Sequence, residues 1–116
     1  LYRAYRKTGA DLLINVAAWG SNKKDVWRTL TSARAMENQC NFIAIDQMGL
    51  IKDNEYNLGY SRVINYDGSI NQEIDEKKNH IYATIKFDSA MYDFRNKCTV
   101  LKDIHKDYEV CILWKK

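Results

Sequence analysis

Hydrophobic and polar positions along this chain change period several times, and each change marks an element. Leu1 to Thr8 mixes aromatic and basic residues and reads as the end of a helix, with Gly9 as its C-terminal stop. Asp11 to Val16 holds the apolar run Leu12-Leu13-Ile14, which predicts a strand buried on both faces. Asp25 to Gln39 carries Val26, Leu30 and Ala33 at i, i+4 and i+7, the stripe of an amphipathic helix, and Arg34 can pair with Glu37 along it. Phe42-Ile43-Ala44-Ile45, within Asn41 to Gln47, predicts a second buried strand. Met48 to Leu58 is polar and reads as a surface loop.

Further on, Tyr60 to Tyr66 predicts a strand, Tyr66-Asp67-Gly68-Ser69 a turn with Gly68 able to take positive φ, and Ile70 to Ile74 another strand. Asp75 to Asn79 is a charged turn. In His80 to Phe87, Ile81, Ala83 and Ile85 alternate with Tyr82, Thr84 and Lys86, which predicts a half-buried return strand. Asp88 or Ser89 can cap a last helix with Met91, Phe94 and Cys98 at i, i+3 and i+7. A tail follows Thr99, apolar again from Val110 to Trp114.

A buried strand, a loop of small residues and a returning helix make the βα half of an α/β unit. In such units ligands bind beyond the carboxyl end of the strand. That places Asn15 to Gly20 at the wall of a candidate site. Asn15, Ala17, Ala18 and Trp19 are its substrate-pocket candidates: small side chains leave room, and Trp19 either covers the pocket or packs in the core. Asp46-Gln47-Met48 follows the second strand and reaches the same end. Gln47 joins the candidate set, for a substrate or for locking a loop.

Composition narrows the picture. With 116 residues the chain is one domain or part of one, and no repeat or linker divides it. The net charge of +3 is dispersed in isolated pairs such as Lys23-Lys24 and Lys77-Lys78, which argues against a nucleic-acid partner. No apolar run approaches the ~18 residues of a membrane span, so no membrane partner is expected. The cysteines, Cys40, Cys98 and Cys111, are odd in number and form no C-x-x-C pair, which fits a reducing, cytoplasmic setting. Cys40 opens an apolar strand and reads as a packed thiol. His80 and His105 lie at no metal-ligand spacing, so neither a metal nor a cofactor is expected.

Four ordered stretches resemble the carbon–nitrogen hydrolase (nitrilase) superfamily, with an omega-amidase-like character. They are G-A-D-L-L-I-N-V-A-A-W from Gly9 to Trp19 and W-x-x-x-x-x-A-R-A-M-E-N-Q from Trp27 to Gln39. Then come Gly59-Tyr60-Ser61 with Ile64-Asn65-Tyr66-Asp67-Gly68, and Arg95 with Val100-Leu101-Lys102-Asp103. Tyr60 stands where that family has His in G-H-S. Val16, Tyr66, Cys98 and Lys106 stand where it commonly has Pro, and this chain has no proline at all.

The resemblance implies an α/β fold, the second half of a four-layer α-β-β-α sandwich, with residues 1–116 a partial, C-terminal portion of the hydrolase domain. It implies a parent protein that hydrolyses a carbon–nitrogen bond of a small amide or nitrile through a Glu–Lys–Cys triad. The nucleophile of that triad sits in a C-x-D-x-R-F-P-E-like motif that would precede Leu1, and none of the three cysteines here has that context. No catalytic residue is therefore assigned, and the chain alone is expected to be inactive. Arg34, Glu37 and Asn38 become a structural brace, holding the helix against the sheet as the family's E-N pair does. The resemblance further implies a homo-oligomer, at least a dimer, with Leu1 to Lys7 and Met91 to Cys98 at the contact and Tyr2, Tyr5, Tyr92 and Phe94 supplying aromatic area. Half a sandwich would also leave one sheet face uncovered. The alternative from another class is a non-catalytic interaction or scaffold module of the same fold. An unrelated doubly wound binding domain ranks last.

Overall fold

Two helices lie against one face of a four-stranded sheet; on the other face Asn41 and Val63 are buried, while Ile14, Val16 and Ile45 are exposed among the described residues. The computed structural model describes residues 1–75 and 78–102. Helix α1 (Tyr2–Lys7) leads into strand β1 (Leu12–Ala17), a 3-10 turn (Ser21–Lys23) and helix α2 (Lys24–Asn38). Strand β2 (Asn41–Asp46), hairpin strands β3 (Met48–Lys52) and β4 (Glu55–Leu58), and strands β5 (Arg62–Ile64) and β6 (Ile70–Glu73) follow. Helix α3 (Ser89–Lys97) and a 3-10 turn (Thr99–Leu101) close the described chain. The sheet order is β1-β2-β5-β6, with β1 and β2 parallel and the other pairs antiparallel. Among the described residues no helix is long and apolar enough to cross a membrane.

Local chemistry sets most of these boundaries. Gly9 takes φ +100°, and its N–H closes back on Arg6 O at 3.0 Å, which stops α1. Helix α2 ends at Gln39, a left-handed residue with φ +51°. The Cys40 N–H then reaches Ala35 O at 3.2 Å and the Gln39 N–H reaches Met36 O at 3.1 Å, the paired bonds of a Schellman end. Arg95 of α3 donates from Nε and Nη2 to the Gln39 carbonyl at 2.9 and 2.8 Å and pairs with Asp11 at 2.8 Å. One guanidinium thus ties α3 to the end of α2 and the start of β1.

The core joins Leu13, Trp27, Ala35, Cys40, Phe42, Ala44 and Ile64 between α1, α2 and the sheet. The Tyr2 ring meets Phe42 edge-on at 5.3 Å. Beneath α2, Arg62 is 4% exposed. It donates to Arg28 O at 2.7 Å and Thr31 Oγ1 at 2.9 Å, and its Nε lies 2.6 Å from Glu73 Oε2. Glu73 also pairs with Arg28, so one carboxylate joins α2, β5 and β6.

Several expectations are corrected. The buried stripe of α2 is Trp27, Thr31, Ala35 and Asn38, whereas Val26, Leu30 and Ala33 face outward. Trp27 wins because its indole N–H finds Tyr60 O at 2.9 Å, and Thr31 because its hydroxyl meets Trp27 O and Arg62. Among the described residues strand β1 is covered on one face only: Leu13 is buried, but Ile14 is 58% and Val16 75% exposed, with Ile45 beside them. Met48 to Leu58 is a hairpin rather than a loop, turned by Asp53 and Asn54 at φ +45° and +67°.

His80 to Phe87 forms no strand. The amides of Asn71 and Asn41 take the Thr84 and Lys86 carbonyls at 2.9 and 3.0 Å, where a ladder would need a neighbouring backbone. Asp88 occupies the N-cap position of α3, but its side chain makes no capping bond. Of the aromatics expected at a subunit contact, Tyr2 packs on Phe42 and Phe94 on Tyr66, while Tyr5 and Tyr92 remain about half exposed. Residues 76–77 of the charged turn, Cys111 and the Val110 to Trp114 stretch lie outside the described residues.

Candidate functional site

Strands β1 and β2 run parallel and end together, Ala17 beside Asp46. The segments that leave them are stapled to each other. The Trp19 N–H donates to Asp46 Oδ1 at 2.7 Å, and the Gln47 N–H to Ala17 O at 3.0 Å. The hairpin's return closes the third side, with the Leu58 N–H on Trp19 O at 2.6 Å and the Gly59 N–H on Gln47 O at 3.0 Å. Three segments distant in sequence therefore converge on one strand-end surface, the position where α/β units hold ligands.

The candidate residues divide between two sides of this surface. Asn15 and Trp19 line a cavity of about 210 Å³ on the helix side, shared with Tyr2, Trp27, Arg34 and Phe42. Asn15 Nδ2 donates to the Tyr2 hydroxyl, and Asn15 Oδ1 is buried without a protein partner. The Trp19 ring lies against Trp27 with centroids 5.5 Å apart. Ala17 packs against the core. Ala18 and Gln47 are exposed at the strand-end rim and do not line that cavity. The brace residues sit together one layer out. Glu37 pairs with Arg34 and, at 3.5 Å, with Arg3, so it links α2 to α1. Asn38 is fully buried and donates to Arg34 O at 2.8 Å.

Two residues that the sequence placed near the strand end or in a family motif, without a role at the site, gain one. Asp46 is 4% exposed. Burial pushes its carboxyl above the ordinary aspartate value, while the backbone N–H groups of Trp19, Gly59 and Gln47 pull the other way. Its Oδ2 is buried with no hydrogen-bond partner. Its position after the apolar run Phe42 to Ile45 put it at the strand end, but nothing in the sequence showed that it would be buried. Tyr60 accepts a 2.6 Å bond from Lys24 Nζ through its hydroxyl, and the same ammonium lies 4.0 Å from its ring centroid.

Cys40 is fully buried, as expected of a packed thiol, and its Sγ–H contacts Ala10 O and Asn38 O at 3.1 and 3.2 Å. Burial pushes the thiol up, against the opposing pull of Arg6 and Arg95, so a reactive thiolate is disfavoured there. Among the described residues no three His, Cys, Asp or Glu side chains converge as metal ligands.

Comparison with known proteins fits this geometry. The 2-oxoglutaramate amidase of Paenarthrobacter nicotinovorans is 32% identical over 92% of this chain, and that of Bacillus subtilis (strain 168) is 32% identical over 90%. The chain spans 36% and 40% of those two proteins. The crystal structure of the Caenorhabditis elegans NitFhit protein superposes with a TM-score of 0.83 and 30% identity, over 92% of this chain and 26% of that one. The α/β arrangement of the nitrilase type is thus the observed one, over a fraction of the solved chain. The carbon–nitrogen hydrolase family profile matches residues 1–91, and the chain belongs to that family.

Proposed function

We propose that this chain is the C-terminal portion of a carbon–nitrogen hydrolase domain whose parent protein releases ammonia from a small amide. The observation that carries the reading is the family match across residues 1–91, which runs through the strand-end surface of β1 and β2. In this reading the Glu–Lys–Cys triad belongs to sequence before Leu1. The parent's Cys attacks the amide carbon, the Lys stabilises the developing oxyanion, and the Glu moves the proton that lets ammonia leave; water then releases the acid from the thioester. Asn15, Ala17, Ala18, Trp19 and Gln47 wall the site, and Arg34, Glu37 and Asn38 hold α2 in place behind it. The names of the two amidase relatives favour a short amide that also bears a carboxylate.

The exposed part of the sheet at β1 and the end of β2 supports the partial-domain reading. Ile14, Val16 and Ile45 present a contiguous apolar surface that water contacts at a cost, and a second sheet of the sandwich would cover it. The half-exposed Tyr5 on α1 and Tyr92 on α3 suit a homo-oligomeric contact. The free thiols of Cys40 and Cys98 fit a cytoplasmic setting.

The test is ammonia release from 2-oxoglutaramate and from a panel of small amides and nitriles. The 116-residue chain is assayed alone and within the longer protein that contains it. The longer protein is expected to turn over and the chain alone to be silent. Turnover by the chain alone, lost in Cys40→Ala, would overturn the placement of the triad. A longer protein that folds but hydrolyses nothing in the panel would favour the scaffold reading.

A further inference from the structure

The least explained group on the strand-end surface is the carboxyl of Asp46. It sits among three segments. The loop after β1 gives it the Trp19 N–H at 2.7 Å, and its own strand's exit and the β4–β5 connection lie against it through Gln47 and Gly59. Ser61 holds the backbone of the same residue, donating to Asp46 O at 3.3 Å and accepting the Asp46 N–H at 3.0 Å. The backbone position is therefore fixed, while Oδ2 stays buried with no partner. Among the described residues no cation forms an ion pair with Asp46. Of the lysines that follow the loop after β1, Lys23 lies over the Trp19 ring and Lys24 on Tyr60.

A carboxylate in such a place faces two opposed demands. The backbone N–H groups of Trp19, Gly59 and Gln47 favour an ionised carboxylate. A charge with one oxygen orphaned in the interior is costly, and among the described residues no counterion offsets it. Closing the loops therefore raises the affinity of this carboxyl for a proton. Once the loop after β1 lifts and water reaches Asp46, the charge is solvated and the cost disappears. Closing the loop and ionising Asp46 therefore oppose each other.

We propose that Asp46 is a positioning residue for the strand-end site: a proton-dependent clamp that holds Trp19 in place when neutral and loosens it on ionisation. This rests on the reading of that surface as the substrate wall, because Trp19 is the part of the wall that the clamp sets. Opening of the loop carrying Trp19 becomes easier as pH rises from the ordinary carboxylate value to the raised value of the closed state, and levels off above it. Asn at this position keeps an acceptor for the Trp19 N–H and removes the charge, so the loop stays closed at every pH.

The test is amide hydrogen exchange at Trp19, read by NMR as a protection factor so that intrinsic exchange is divided out, between about pH 4 and pH 8. The Asp46 side-chain carbon is titrated in parallel in the unaltered protein. Protection of Trp19 is expected to fall over the same pH range in which Asp46 titrates. In Asp46→Asn that fall is lost, and protection at neutral pH exceeds that of the unaltered protein. Protection that ignores the Asp46 titration, or a pH dependence that survives in Asp46→Asn, would overturn the clamp. The carbon titration keeps the question decidable if the variant does not fold. The exchange measurement needs no substrate, so its failure leaves the amidase reading intact, and a silent ammonia assay leaves the clamp intact.

Discussion

Glu73 bridges one exposed and one buried arginine, and its two arms should carry very different energies. The Arg28 side chain is 39% exposed, so its arm is a surface ion pair worth at most about 1 kcal/mol. The Arg62 side chain is 5% exposed, and burial draws its guanidinium below the ordinary value, with Glu73 opposing that and Arg28 adding to it. Removing the partner of a buried charge costs about 3–5 kcal/mol. Here Arg62 would keep its bonds to Arg28 O and Thr31 Oγ1, and the amide of Gln would remain an acceptor. Glu73→Gln should therefore cost about 2–3 kcal/mol, below that range. Arg28→Ala should cost under about 1 kcal/mol. Replacing Arg62 by Met removes the buried charge that Glu73→Gln leaves unpaired. The double variant Arg62→Met with Glu73→Gln should then be at least about 1 kcal/mol more stable than Glu73→Gln alone. Urea unfolding of the four proteins at a common m-value measures each difference. The reasoning fails if Arg28→Ala is the costlier single change, or if Arg62→Met makes Glu73→Gln worse.

Four further outcomes follow from named contacts. Gly68→Ala should lose about 1–2 kcal/mol, because φ is +85° and the new Cβ would lie 3.0 Å from Met36 Cε and 3.2 Å from its Cβ; thermal melting reads the loss. Arg95→Ala removes two bonds to Gln39 O and the Asp11 pair, so about 2–4 kcal/mol should go, with faster proteolysis at α3. Asp46 contributes to the pH dependence of stability with a definite sign. Its raised pKa means the native state binds the proton more tightly than the unfolded chain does. Stability therefore falls as pH rises from the ordinary carboxylate value through the raised one, and melting of Asp46→Asn should lack that fall. Tyr5→Asp with Tyr92→Asp should lower the mass in light scattering while the fold persists; an unchanged oligomer would remove α1 and α3 from the contact.

What the sequence determined by itself was the set of elements whose signals are local. Helix α1 with its stop at Gly9, strands β1 and β2, the α2 span and the Gly68 turn were legible from runs, spacings and turn residues within a few positions of each other. The Arg34–Glu37 pair was legible for the same reason, since three positions along a helix fix its geometry. The family's ordered motifs added the fold type, which no single element could have supplied.

Tertiary structure decided wherever the partner lies far along the chain. A helical period says that α2 has an inner face but not which one. The Tyr60 carbonyl and Arg62, brought in by the far side of the sheet, turned that face to Trp27 and Thr31. The Asp53-Asn54 turn made a hairpin from a stretch whose composition read as a loop, because two left-handed residues impose a strand reversal whatever the polarity around them. Alternation in His80 to Phe87 described an extended chain, yet a strand also needs a neighbour's backbone, and Asn41 and Asn71 side chains took that place. The site divided for the same reason. Asn15 and Trp19 turn inward to one cavity while Ala18 and Gln47 stay on the rim, because side chains alternate across a strand and the loops beyond it are set by their partners. Asp46 is the clearest case: a lone carboxylate in sequence becomes a buried one only when three separate segments close around it, and that closure is a property of the fold.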